Sequence, residues 1–105
     1  MSNRSIGDKF EQEISNLLEI PVTAKSGGHW DNADMDSGKV LIECKLTSKP
    51  GFSGTVDHIK KLKIQADKAL KEWIYIRRTP DETYVIVSLD YFSELTNNGK
   101  TLRKT

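Results

Sequence analysis

The sequence holds little of what marks several protein classes. Cys44 is the single cysteine in 105 residues, so neither an internal disulfide framework nor a multi-cysteine zinc site can form, which fits a reducing compartment. No apolar run approaches the ~20 residues that a membrane-spanning helix needs. The opening Met1-Ser2-Asn3-Arg4-Ser5 has no apolar stretch of the signal-peptide kind. These absences lead to the expectation of a cytoplasmic protein with no membrane partner. Prolines number three and glycines seven while 36% of residues are hydrophobic, a balance too apolar for a disordered tail. A chain of this length is expected to form one domain over residues 1–105, with a polar tail fraying from about residue 96. Its core is lean, which makes a partner subunit plausible.

An excess of charge is missing too. Sixteen Lys and Arg stand against fifteen Asp and Glu, for a net charge of +1, which taken alone argues against a nucleic-acid partner. The distribution says otherwise. Residues 1–44 carry four basic and eight acidic side chains, whereas residues 45–78 carry nine basic and three acidic ones. A basic middle is a candidate phosphate-binding surface, although lysines on the outside of a helix also serve simply to solvate it.

Apolar spacing sets the elements. Ile6, Phe10, Ile14, Leu17 and Leu18 form one stripe of a helix over residues 5–19, which Pro21 ends. Residues 22–25 read as a short strand, followed by the polar loop Ser26-Gly27-Gly28-His29-Trp30-Asp31-Asn32. Residues 39–47 are the clearest strand, with Val40, Ile42, Cys44 and Leu46 on one face and Leu41, Glu43, Lys45 and Thr47 on the other. After a loop over 48–54, a second helix spans about 55–72, its buried stripe made by Ile59, Leu62, Ala66, Ala69, Leu70 and Trp73. Strands at 73–77 and 84–88 flank a Thr-Pro-Asp-Glu-Thr turn, and a short helix follows at 90–95. The order is that of a mixed α/β domain, an α+β sheet flanked by helices.

Chemistry concentrates at Glu43-Cys44-Lys45. Strand alternation places Glu43 and Lys45 on one face, about 6–7 Å apart along the strand. Asp34 lies nine residues before Glu43, between Asp31 and Asp36. Carboxylates converging beside a lysine suit a hard divalent cation such as Mg²⁺, which takes oxygen ligands, and the lysine can hold an attacking water while the metal polarises a phosphate. The competing reading is a cross-strand salt bridge at a sheet edge. On the first helix, Glu11 and Glu13 flank the apolar stripe on opposite edges, and periodicity does not choose between them. His29 and His58 have no second His or Cys at zinc spacing, so surface or loop roles are expected. Gly27-Gly28 is no Walker loop, because no Gly-Lys-Ser/Thr follows.

Asp34 followed by Leu41-Ile42-Glu43-Cys44-Lys45-Leu46-Thr47 resembles the PD-(D/E)xK nuclease superfamily, and more closely the archaeal and phage Holliday-junction resolvases and related small phage nucleases. Gly7-Asp8-Lys9-Phe10-Glu11 resembles their glycine-led first helix, with its acid four residues after the glycine. The Ser-Gly loop at residues 26–27, the Glu-x-Lys strand and the basic helix follow in the same order, so the likeness spans about residues 4–76. The chain departs from the pattern where Ala33 replaces the motif's proline and where Asp31 and Asp36 make the segment more acidic; either could replace Asp34, although the spacing to Glu43 favours Asp34.

The resemblance implies a restriction-endonuclease-like αβββαβ core with a central mixed sheet. It also implies a metal-dependent DNA endonuclease that hydrolyses phosphodiester bonds, acting on four-way junctions as a homodimer, in a host's cytoplasm if phage-encoded. Asp34, Glu43 and the Cys44 carbonyl would bind Mg²⁺, for which Mn²⁺ would substitute. Glu11 would act directly or through water, and Lys45 would position the nucleophile. Ser26 would contact a phosphate, alongside Lys49, Lys60 and Lys61. Apart from the resemblance, Trp30 in its polar loop is a candidate for stacking on a base or wedging a junction, although folding back on the core is the commoner outcome for a tryptophan. Two alternatives remain: a flap or single-strand nuclease of the same superfamily, and a non-catalytic nucleic-acid-binding module.

Overall fold

The computed structural model describes residues 3–23 and 33–99, with side chains over 6–23 and 33–97. Ser26, His29, Trp30 and Asp31 therefore lie outside the described residues. The elements run α1 (Asn3–Leu18), β1 (Met35–Asp36), β2 (Val40–Leu46), α2 (Thr55–Ala69), β3 (Glu72–Arg78), β4 (Thr83–Val87) and α3 (Leu89–Gly99). They build a four-stranded sheet in the order β1-β2-β3-β4. β2 and β3 run parallel, while β1 and β4 pair antiparallel with their neighbours.

A tight turn makes the first hairpin. The Asp36 carboxylate accepts the Gly38 N–H at 2.8 Å, and the Ser37 hydroxyl accepts the Val40 N–H at 3.1 Å, so short polar side chains satisfy the turn's own backbone donors. Gly38 has φ +94°, a left-handed conformation that glycine adopts without Cβ strain. A parallel β2–β3 pair requires a crossover, and α2 supplies it.

The alternation along β2 sorts the two cores. Val40, Ile42 and Cys44 pack with Phe10 and Ile14 of α1, Met35 and Ile76. Leu41 packs on the opposite face with Leu62 and Ala66 of α2, Tyr75 and Ala33. The sheet thus lies between α1 and α2. The partly buried Tyr91 of α3 joins the α1 side.

Several expectations need correction. The strand expected over 22–25 is a single bridge, Val22 to Met35, with residues 24 and 25 outside the described part. Asp34 sits in a bend just before β1 rather than within a strand. α2 ends at Ala69, not near residue 72, so Trp73 belongs to β3 and Leu70 is 93% exposed instead of buried. Leu70 is the cap: it turns left-handed at φ 57°, and the Lys71 N–H closes on the Ala66 carbonyl at 2.9 Å, so the helix ends before its apolar spacing does. Leu17 and Leu18 stay exposed at the end of α1, because the sheet meets that helix through Phe10 and Ile14. α3 continues to Gly99, through residues expected to fray.

Candidate active site

Asp34 and Glu43 are brought together by the first hairpin. β1 pairs only Met35 with Ile42 and Asp36 with Leu41, so β2 runs on past its partner from Glu43. Asp34 completes that edge with its side chain. Its Oδ2 accepts the Cys44 N–H at 2.7 Å, while its own N–H donates to Glu43 Oε1 at 3.3 Å. Asp34 is 2% exposed. A buried carboxylate among backbone donors is the form that avoids an uncompensated charge.

The N–H and C=O of one strand residue point to the same edge, so the Cys44 carbonyl opens toward Asp34 while its thiol packs in the α1-side core. Asp34, Glu43 and that carbonyl make a set of hard oxygen donors. Among the described residues no three His, Cys, Asp or Glu side chains come together around a common point. Two carboxylates with a backbone oxygen still match how Mg²⁺ is held, through one or two carboxylates and retained waters. The residues fit the ion that the sequence implies.

Parallel register places neighbours from β3 beside the β2 pair. Glu43 stands opposite Tyr75, and Lys45 opposite Arg77. Above them, α2 contributes His58, Lys61, Leu62 and Gln65, enclosing a pocket of about 220 Å³ with Glu43, Lys45 and Tyr75. His58 Nδ1 lies 2.9 Å from the Tyr75 hydroxyl, and Arg77 Nη1 donates to the same hydroxyl at 3.4 Å. Arg77, 3% exposed, also donates to the carbonyls of Gly51 and Ser53, which ties down the loop that leads from Lys49 to α2. Phe52 adds an edge-to-face contact on Tyr84 at 4.9 Å.

Burial and the positive charges of Lys45, Arg77 and Lys61 hold His58 below the ordinary histidine range. Burial raises the Tyr75 phenol, partly offset by Arg77. Both groups are thereby kept neutral near pH 7.

Glu11 lines a second pocket on the α1 side with Gly7, Phe10, Cys44, Lys45 and Thr47, and Lys45 lines both pockets. Glu13 is committed elsewhere: Arg78 grips it with two hydrogen bonds of 2.8 and 2.7 Å while lying over the Phe10 ring at 4.6 Å. Glu13 stays more than half exposed, and its partner is distant in sequence and not local, 65 residues away. Asp36, the alternative ligand, turns away to Lys71 at 2.6 Å. Lys49 and Lys60 are exposed, on the loop and on α2.

His58, Tyr75 and Gln65 line the candidate site without having been expected there. A signal existed for two of them, because His58 and Gln65 stand four before and three after Leu62, on the stripe of α2 that meets the sheet. Tyr75 shows only through strand register.

The fold is a mixed sheet between helices, with Asp34 beside Glu43 and Lys45 near the end of β2. The structure of Hjc from Archaeoglobus fulgidus, a Holliday junction resolvase from an archaeal hyperthermophile, shares it, with a TM-score of 0.54 and 17% sequence identity over 75% of this chain and 73% of that one. No protein-family model matches the sequence, and no curated protein matches it. Among the described residues, no helix is long and apolar enough to cross a membrane.

Proposed function

We propose that this chain is a metal-dependent DNA endonuclease that resolves four-way junctions. The observation that carries the reading is the Asp34–Glu43 pair, fixed by the Cys44 amide at the open edge of β2 with Lys45 next along the same face, within a fold shared with a junction resolvase.

Asp34, Glu43 and the Cys44 carbonyl would hold Mg²⁺ or Mn²⁺, and a bound ion would supply charge stabilisation at the scissile phosphate. Lys45 hydrogen-bonds the attacking water and orients it for in-line displacement, a positioning role suited to a flexible ammonium at a strand end. Glu11, on the other side of Lys45, bears on the same water from α1. Lys49, Lys60 and Lys61 meet the phosphate backbone and give binding without sequence preference that weakens with salt. A homodimer suits the substrate: a four-way junction takes two symmetric cuts, and a two-fold pair places two equivalent sites on it.

The test is cleavage of a synthetic four-way junction, a flap and a plain duplex with Mn²⁺ or chelator, beside Glu43→Ala. Paired nicks confined to the junction, abolished by chelator and by the substitution, are expected. Equal cutting of flap or duplex would point to a different structure-specific nuclease, and binding with no cutting would leave a nucleic-acid-binding module.

A further inference from the structure

His58 lies outside the acid–lysine set, yet its surroundings are built rather than incidental. Tyr75 is fully buried, and its hydroxyl has two polar neighbours among the described residues, Arg77 and His58. Guanidinium nitrogens only donate, so the phenol proton cannot go to Arg77. Were His58 Nδ1 protonated, the hydroxyl would accept twice and its own proton would be buried without an acceptor. The tautomer that satisfies every group has Arg77 donating to Tyr75, Tyr75 donating to Nδ1, and the remaining proton on Nε2.

The ring is half-buried, its Nδ1 against the Tyr75 hydroxyl, and His58 lines one pocket with Glu43 and Lys45. That pocket has several donors: Lys45 and Lys61 are cations, and the neutral ring adds an N–H. Gln65 lines the same space; its buried amide oxygen has no hydrogen-bond partner among the described residues, and rotating the amide would turn an N–H there instead. A small cavity with several converging donors beside a carboxylate takes an anion with tetrahedral oxygens, and here it adjoins the proposed cleavage centre.

We propose that His58 is a catalytic residue, its Nε2–H donating to a non-bridging oxygen of the phosphate being cut, with Tyr75 and Arg77 as positioning residues that lock its tautomer. The inference rests on the nuclease reading above and adds a neutral donor to it. Pre-aimed donors of this kind stabilise charge that grows in the transition state. A neutral donor displaces no counterion, so the salt dependence of DNA binding separates His58 from the lysines.

The test combines kinetics with spectroscopy. In single-turnover cleavage of a four-way junction, His58→Ala is expected to slow the reaction roughly 100–1,000-fold while changing junction affinity and its salt slope little. Lys61→Ala should instead reduce the slope by about one. His58→Gln, which carries an amide N–H near the place of Nε2, should recover most of the rate, and thermal melting checks that each variant is folded. Nitrogen-15 NMR of the wild-type imidazole should show Nε2 protonated and Nδ1 accepting, with the preference weakened in Tyr75→Phe. A protonated Nδ1, or His58→Ala cutting as fast as the wild type, overturns the inference alone. A wild type that cuts no DNA with Mg²⁺ or Mn²⁺ removes the nuclease reading and this inference with it.

Discussion

The Asp34 carboxylate accepts the Cys44 amide proton at 2.7 Å across ten positions of sequence, from a site that is almost wholly buried. One acid therefore both closes the edge of β2 and stands in the candidate metal site, and substitutions can separate the two roles. Asp34→Asn keeps an oxygen for the Cys44 N–H, so it should fold nearly as well as the wild type yet lose DNA cleavage. Asp34→Ala strands that N–H and should cost about 1–3 kcal/mol besides. Chemical denaturation of the two variants, read beside their cleavage rates, checks this.

The two glutamates of α1 should part company. Glu11 borders Lys45, whereas Glu13 is held by Arg78 at more than half exposure. Glu11→Gln is expected to reduce cleavage by about 10²-fold or more. Glu13→Gln should leave the rate within about twofold and change stability little, because an exposed ion pair is weak. A loss of activity in Glu13→Gln alone would reverse the assignment.

Arg77 predicts a loop effect. Its guanidinium supplies donors to Gly51 and Ser53, and hydrogen bonds to a charged group contribute about 1.5–3 kcal/mol each. Arg77→Met should destabilise the protein by about 2–4 kcal/mol and raise amide hydrogen exchange first in residues 51–55. Uniform exchange across the sheet, with that loop no faster, would contradict it.

Leu70 predicts a gain. It occupies a left-handed cap at φ 57° with its side chain in solvent. A non-glycine residue there costs about 1–2 kcal/mol, and glycine returns part of that as unfolded-state entropy. Leu70→Gly should stabilise by about 0.5–1 kcal/mol, a few degrees of melting temperature. An unchanged or lower midpoint would refute the reading of the cap.

The Asp36–Lys71 pair sets a pH dependence. Lys71 and then the Gly38 N–H hold the Asp36 carboxyl below its usual 3.8. The carboxylate form is the one folding favours, so its stabilisation is complete above that value and disappears as pH falls through the lower folded value. Asp36→Asn should therefore be slightly less stable than the wild type at pH 6, by at most about 1 kcal/mol, and equal to it near pH 2.

Much of this arrangement was legible in the residue order because it is local. The Glu-x-Lys alternation on β2 and the spacing back to Asp34 both lie within one hairpin, so parity and distance along the chain suffice to assemble them. The α2 stripe was legible through Ala66 and failed at Leu70 and Trp73, because apolar spacing continues across a left-handed cap that only backbone geometry reveals. The long-range partners were hidden for a different reason. Tyr75 reaches Glu43 through parallel strand register, and Arg78 reaches Glu13 across the sheet; neither register nor crossing is written in a period. His58 has no partner at zinc spacing, and its role shows only in its place four residues before Leu62, on the stripe of α2 that meets the sheet.

β2 is used on both faces, which leaves it no neutral frame. Ile42 and Cys44 fill one core while Glu43 and Lys45 serve the opposite pocket. Loss or gain of one residue between Lys39 and Glu43 would turn the carboxylate into the α1 layer and send Cys44 to the pocket, breaking packing and chemistry in one event. The loop over 47–54 has no such two-faced register and is held at separate points: the carbonyls that Arg77 binds, the Thr47 N–H on the Arg78 carbonyl at 3.0 Å, and Phe52 against Tyr84. Changes of length should therefore be borne on the far side of Lys45 and not before it, so that the reach of the rim around Lys49 can vary while the hairpin behind it stays fixed in size.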